Sequence, residues 1–384
     1  MKFVDEYRDP VVARELATRL ARAVTAADRE RGGGGPIRVM EVCGGHTHAI
    51  YRHGLLDHVG DGVEFVHGPG CPVCVVPRGR LDDAVGLAVD HDVILCTYGD
   101  MLRVPGSRGS LLEARAAGAD VRVVYSPLDV LPIAASEPGR QVVFLAIGFE
   151  TTAPATAITV RRAKERGITN LSFLCLHVLV EPPMRALLDV DPSPVDGVIA
   201  PGHVSTVTGW GAYRTLAQDL GIPFVVAGFE PLDVLEALTM VVERLADGRG
   251  GVANQYGRAV SEHGNAVAQE LLADVFSVRD TFEWRGLGEI PRSALALAPR
   301  YSGLDAEVRF DVHTADVADH RACRCGDVLR GHIRPWECQV FGTGCTPERP
   351  LGSCMVSSEG ACAAVYRYGR GGAVPVAMSR AAAP

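Results

Sequence analysis

Residues 141–152 read QVVFLAIGFETT. Apolar or small residues run unbroken from Val142 to Gly148, and the chain then turns polar at once. A short, unbroken, partly β-branched run reads as a strand covered on both faces, and the polar break marks its end. Runs of the same kind recur: IRVMEVC from Ile37, VEFVHG from Val63, DVILCTYG from Asp92, VRVVYSP from Val121, LSFLCLH from Leu171, DGVIAPG from Asp196 and PFVVAGFEP from Pro223. Helix-sized intervals separate them, so the fold class is α/β, built on parallel sheets with helices on both faces.

The runs fall into two sets. Pro127-Leu128-Asp129-Val130-Leu131 recurs as Pro231-Leu232-Asp233-Val234-Leu235, an offset of 104. At nearly that offset Cys43-Gly44 falls on Ile147-Gly148, and Tyr98-Gly99-Asp100 on Pro201-Gly202-His203. Three features in register point to a duplication. The expectation is two similar α/β domains, 37–138 and 139–233, facing each other across a cleft. A third region, 1–36 plus 234–384, is expected to be helical and cysteine-rich. Its first segment reads as an amphipathic helix, its last, beyond Arg370, as a frayed tail.

Ligands in open α/β sheets sit beyond the carboxyl ends of strands. Each unusual polar motif lies there: CGGHTH (43–48), GPGCPVC (68–74), GFETT (148–152) and PGHVS (201–205). They are expected to converge on one site. Cys43 with His46 and His48 suits a borderline iron or zinc ion, the glycines between them allowing close backbone approach. Cys71 and Cys74 precede a helical stretch with Arg78 and Arg80 close behind, a setting that favours a reversible dithiol. Half of a zinc site is the alternative, but no second pair has matching spacing. Glu150, Thr151, Thr152, His203 and Ser205 are candidates for hydrogen bonding or proton movement, or for closing turns. Cys96 and Cys175 sit within strand-like runs and read as core residues.

Composition narrows the function classes. The 384 residues are 47% hydrophobic and 22% charged, with a net charge of −8, which argues against nucleic-acid binding. No 18-residue apolar run exists, and the amino terminus has no continuous apolar stretch of a secretion signal. A cytoplasmic protein is expected. There is no G-x-x-x-x-G-K-[ST] and no G-x-G-x-x-G opening a helix, so a nucleotide site has no support.

Eleven cysteines are many for a cytoplasmic chain, and six lie between Cys323 and Cys362. Such thiols serve metal or redox chemistry more often than disulfides. We assign Cys338, Cys345, Cys354 and Cys362 as the ligands of a four-thiolate centre, with Cys323 and Cys325 a nearby dithiol or spare thiols. The gaps lack the paired knuckles of structural zinc and the short ferredoxin spacing, so spacing leaves zinc and a 4Fe-4S cluster both open.

Taken together, CGGHTH, GPGCPVC, GFETT, PGHVS and the run from CRCG through FGTGCTPERPLGSCMVSSEGAC resemble the HypD-type maturation factors of [NiFe]-hydrogenases, over about residues 39–369. The resemblance implies a cytoplasmic scaffold on which the Fe(CN)2CO unit is assembled, not a conventional turnover enzyme, and a monomer outside its complex. It implies iron held by Cys43, a second thiolate from the N-terminal cysteine of a HypC-type small chaperone, and cyanide from a HypE-type donor. It further implies a 4Fe-4S cluster on the four C-terminal cysteines that passes electrons to the Cys71–Cys74 pair. Release of cyanide from a thiocyanate takes two electrons, and a dithiol closing to a disulfide supplies two. On this resemblance His46, His48, Glu150 and His203 are candidates for the groups around the iron rather than established ligands of it. The alternative is a cluster-dependent thiol–disulfide reductase, and a zinc-stabilised binding module is a third reading.

Overall fold

The computed structural model describes residues 5–190 and 192–369, so the tail beyond Arg370 lies outside the described residues. All eight expected strands form: β1 (Ile37–Glu41), β2 (Val63–His67), β3 (Ile94–Thr97), β4 (Val121–Val123), β5 (Val142–Gly148), β6 (Leu171–His177), β7 (Gly197–Pro201) and β8 (Pro223–Ala227). A ninth, β9 (Gly251–Asn254), was not anticipated, because its GVAN carries little apolar signal.

The strands make two parallel sheets, ordered β2-β1-β7-β8-β9 and β4-β3-β5-β6. This corrects the expected boundaries 37–138 and 139–233. Each sheet takes two strands from the first segment and the rest from the second or beyond, through pairings such as Met40 with Val198 and Cys96 with Phe144. The offset of 104 survives in a different form. Shifting the order β2-β1-β7-β8 by it, with β7 and β8 mapped back onto β3 and β4, yields β6-β5-β3-β4, the order of the second sheet. Each sheet is therefore built from strands of both segments. Sequence register cannot reveal this, because a strand's apolar pattern does not say which apolar edge it joins.

The region 1–36 plus 234–384 is also divided. The helix Pro10–Arg31 starts on Asp9, whose carboxylate accepts the Val11 N–H at 2.7 Å, and stops at Gly32 in the left-handed conformation (φ 71°). Its Leu20, Ala23 and Ala27 pack with Val234, Leu238 and Val241 of the helix Pro231–Ala246 over the outer face of the first sheet. The helix Ala266–Val275 and the antiparallel pair Phe276–Val278/Leu295–Leu297 instead cover the second sheet through Leu271, Phe276 and Leu297. The remainder, a hairpin (Thr281–Trp284, Gly288–Pro291) and the cysteine-rich segment, packs where the sheets' inner faces meet. Met40, Val198, Leu95 and Val143 there share one core with Trp284, Cys325 and Cys354. Among the described residues, no helix is long and apolar enough to cross a membrane.

Candidate functional site

Cys43 follows β1 and is the extended residue (φ −149°, ψ 123°) from which the helix Gly44–Arg52 starts. Its backbone N–H donates to Glu41 Oε2 at 3.0 Å. Glu41 is completely buried, and its other oxygen accepts from the Thr47 hydroxyl and from His67 Nδ1 at 2.7 Å. His67 Nε2 meets the Tyr51 hydroxyl at 2.9 Å. A buried carboxylate taking three donors is an expensive arrangement whose geometry is fixed by its partners. Here it fixes the turn that presents Cys43. Sequence reading passed over Glu41, although a lone acid at the end of an apolar strand was the available signal.

The glycines of CGGHTH are there for proximity. A Cβ on Gly44 would run into Glu359, and one on Gly45 into the Phe229 ring. Phe229 lies between two imidazoles, with ring centroids 4.7 Å from His46 and 3.8 Å from His203. His46 is fully buried, and its Nε2 faces the carbonyls of Ala227 (3.3 Å) and Gly228 (3.0 Å), so it carries the proton there. Nδ1 is then a bare acceptor without a partner. His48 turns away, its Nδ1 3.3 Å from the Ser358 carbonyl. Burial pushes the Cys43 thiol well above its ordinary value, and the carboxylates of Glu359 and Glu41 add to the effect. Binding at Cys43 must therefore displace a proton.

GPGCPVC runs directly against this turn. The Gly44 N–H donates to the Gly70 carbonyl at 2.9 Å, and a Cβ on Gly70 would overlap the Cys43 backbone. β1 and β2 are neighbours, so their carboxyl ends bring the two cysteine motifs together. Cys71 opens the short helix Pro72–Val75, and the Cys74 N–H donates to the Cys71 carbonyl at 3.1 Å. Both thiols are buried. Arg78 and Arg80 do not act on them as expected. Arg78 donates to the carbonyls of Ala318 and Gly106, and Arg80 pairs with Glu307 at 2.9 Å. Burial raises the Cys74 thiol, with Cys354 and Cys71 contributing further.

Beyond Cys74 a line of thiols continues. Cys74 interacts with Cys71 and Cys354, Cys354 with Cys325, and Cys325 with Cys362. Cys323 Sγ lies 3.2 Å from Cys325 Sγ. Its interactions with Cys325 and Cys74 pull the Cys354 thiol below its ordinary value, against the effect of burial. Ser353 ties the segment to the dithiol by donating to the Cys74 carbonyl at 2.7 Å. Of the assigned ligands, Cys354 and Cys362 share Cys325 as their common neighbour, a residue set aside as spare. Cys345 accepts the Leu351 N–H at 3.3 Å, and Cys338 lies 4.0 Å from the Ala322 carbonyl.

Among the described residues, no group of three or more His, Cys, Asp or Glu side chains is arranged as a metal's ligand set. What fits a soft metal centre is donor chemistry. Cys325, Cys338, Cys345, Cys354 and Cys362 are all buried, and Gly352 leaves a recess that a Cβ would fill against the sulfurs of Cys323 and Cys325.

PGHVS follows β7, beside β1 in the first sheet, whereas GFETT follows β5 in the second. Tyr213 is buried and feels the charges of both Glu150 and Cys43, with Ser205 Oγ 3.4 Å from its hydroxyl. Ser205 itself donates to the Pro201 carbonyl at 2.8 Å, and Thr152 Oγ1 to the Phe149 carbonyl at 3.2 Å, so both close turns. Thr151 is exposed. Glu150 accepts the Val180 N–H at 3.1 Å, while its second oxygen has no partner. Cys96 and Cys175 are buried core residues.

Comparison with known proteins agrees with these motifs. The profile described as "Hydrogenase formation hypA family", under the heading HypD, matches residues 13–369. The chain is 52% identical over 378 residues to Hydrogenase maturation factor HypD2 of Bradyrhizobium diazoefficiens, covering 96% of this chain and 97% of that one. It is 50% identical over 375 residues to HypD of Rhodobacter capsulatus (96% and 98% covered) and 49% identical over 370 residues to HypD of Escherichia coli (96% and 98%). A profile match over nearly the whole chain, and half-identity sustained from end to end, leave one conclusion: the chain belongs to the HypD family of hydrogenase maturation factors.

Proposed function

We propose that the chain is the scaffold on which the Fe(CN)2CO unit of a [NiFe]-hydrogenase is assembled, with iron as cargo on Cys43. A HypC-type chaperone supplies the second thiolate, and a HypE-type protein delivers cyanide. The observation that supports this reading is the packing of Gly70 on the Cys43 backbone, which sets the Cys71 and Cys74 thiols beside the Cys43 turn. Cys43 is half-buried and protonated at rest, so iron binding releases a proton into the surrounding network. Low-spin iron with cyanide and carbon monoxide requires a shaped, water-poor pocket, and Phe229, His46 and the Glu41 network furnish its walls.

Closing Cys71 and Cys74 to a disulfide gives up two electrons and two protons, matching the two electrons needed to free cyanide from a thiocyanate. A 4Fe-4S cluster held by Cys338, Cys345, Cys354 and Cys362 would supply one-electron redox equivalents beside that pair. The Ser353 bond to the Cys74 carbonyl keeps the dithiol in place against the cysteine-rich segment.

The test is anaerobic purification with the small chaperone, followed by metal analysis and infrared spectroscopy. Cyanide and carbon monoxide bands are expected in the wild type and should vanish in Cys43→Ala, while the cluster iron stays. Bands that persist in Cys43→Ala would overturn the assignment of the iron to Cys43. A thiol–disulfide reductase would instead turn over a disulfide substrate without needing Cys43.

A further inference from the structure

At the carboxyl ends of β5 and β6 lies an open cavity of about 560 Å³. The hairpin strand Gly288–Pro291 forms one side of it, and Leu179, Ala186, Val278 and Ile290 give it apolar walls. Two polar groups on it keep bonding capacity to spare. One is Glu150, which holds the Val180 N–H with one carboxylate oxygen while the second is buried and without a partner among the described residues. The other is Arg292, an exposed residue at the rim whose guanidinium makes no hydrogen bond or ion pair with any described residue, although its backbone N–H donates to the Asp280 carbonyl at 2.9 Å. Arg292 also holds a left-handed backbone (φ 53°), a conformation that a long side chain rarely adopts and that clusters at ligand sites. The remaining charges are satisfied: Arg185 pairs with Glu181 at 3.1 Å and with Asp219 at 2.9 Å.

We propose that this cavity binds a small organic monocarboxylate with an apolar body, paired through its carboxylate to Arg292 and seated with its hydrocarbon part against Leu179, Val278 and Ile290. Charge selects that class. A cation is repelled by Arg292, a neutral ligand forgoes the charge-assisted pairing with it, and a dianion faces both Glu150 and Glu181. Burial, with Glu181 adding to it, pushes Glu150 up to about 7, so below neutrality its carboxyl is a neutral hydrogen-bond donor beside the bound carboxylate. The groups around Glu150 are Glu181 and Arg185 from the helix after β6, Arg292 from the hairpin, and the Tyr213 phenol. Above pH 7 Glu150 ionises and repels the ligand. The inference stands independently of iron assembly.

The test is a fluorine NMR titration of the full chain, purified anaerobically, with 4-fluorobenzoate and its neutral isostere 4-fluorobenzamide. Saturable binding of the acid is expected, with the amide at least about tenfold weaker, as for loss of one charge-assisted pairing. Arg292→Asn keeps a residue tolerant of the left-handed backbone and should weaken the acid by about the same factor. Glu150→Gln should bind the acid with no pH dependence across neutrality, whereas the wild type loses affinity above pH 7. Equal binding of acid and amide, an unaffected Arg292→Asn variant, or no saturable binding at millimolar probe would each overturn the proposal.

Discussion

The ends of β1 and β5 occupy corresponding places in two sheets of the same strand order, yet they do opposite things with a carboxylate. At the first, Glu41 is buried under three donors and holds the Cys43 turn in one conformation. At the second, Glu150 has one donor, an orphan oxygen and a proton retained to about 7. One scaffold position has become a fixed frame for a thiol, the other a titratable wall of a cavity. The difference teaches that placement at a strand's carboxyl end supplies only access. The number of donors around the acid decides whether it is a frame or a reagent.

The sharpest way to break the first arrangement is Gly70→Ala. Its Cβ would overlap backbone, and backbone cannot rotate aside as a side chain can. A loss of at least about 4 kcal/mol in folding free energy is expected by denaturant titration, since overpacking against rigid atoms exceeds the usual range. A change within experimental error would mean that the two cysteine turns are not in contact.

Glu41→Gln and Glu150→Gln, made side by side, test the comparison directly. An amide at position 41 places an N–H₂ group where a donor now points, so about 3 kcal/mol should be lost. The same change at 150 replaces one neutral polar group with another, and below pH 7 should cost under about 1 kcal/mol. Equal losses would abolish the distinction between frame and reagent.

Most of the two parallel sheets was legible because their strands are short apolar runs punctuated by polar motifs, and eight of their nine strands were visible that way. Sheet membership was not. Val142 and Ile37 open equally apolar runs, and nothing local says that β1 pairs with β7, or β3 with β5. CGGHTH and GPGCPVC stood out through their glycines and cysteines, and the structure sets these two turns against each other. Glu41, His67, Tyr213 and Phe229 were missed because their roles come from burial and cross-chain neighbours. Cys325 was set aside because its position beside Cys354 and Cys362 arises from the path of the loop, which spacing does not encode. The activating role expected of Arg78 and Arg80 failed for the same reason: proximity in sequence did not become proximity in space.

A pH series sharpens the second half of the comparison. The folded chain holds the Glu150 proton up to about 7, whereas the unfolded chain releases it at the ordinary carboxylate value. Glu150 therefore contributes fully at acid pH, and its contribution is lost as pH rises through about 7. The expected loss between about pH 5 and pH 7 is about 2 kcal/mol. His177 runs oppositely: burial holds it at about 4, so its contribution is lost as pH falls from the ordinary imidazole value towards 4. The difference between wild type and Glu150→Gln at each pH cancels His177 and isolates the carboxyl. A flat difference would show that Glu150 ionises normally.

The smallest effect belongs to the repeated PLDVL itself. In both copies proline opens the helical turn and the aspartate caps it: Asp129 accepts the Ser126 N–H at 2.9 Å, and Asp233 accepts the Glu230 N–H at 3.2 Å. The second copy carries a further load. Asp233 is buried and takes both guanidinium nitrogens of Arg258, at 2.8 and 2.5 Å, and Gln255 at 2.9 Å. Asparagine can still cap but cannot balance Arg258. Asp233→Asn should therefore cost about 1.5 kcal/mol and Asp129→Asn under about 0.5 kcal/mol in the same thermal melt. A reversed order would mean that the shared five residues do the same work in both places, and that the environment, which separates Glu41 from Glu150, does not separate these aspartates.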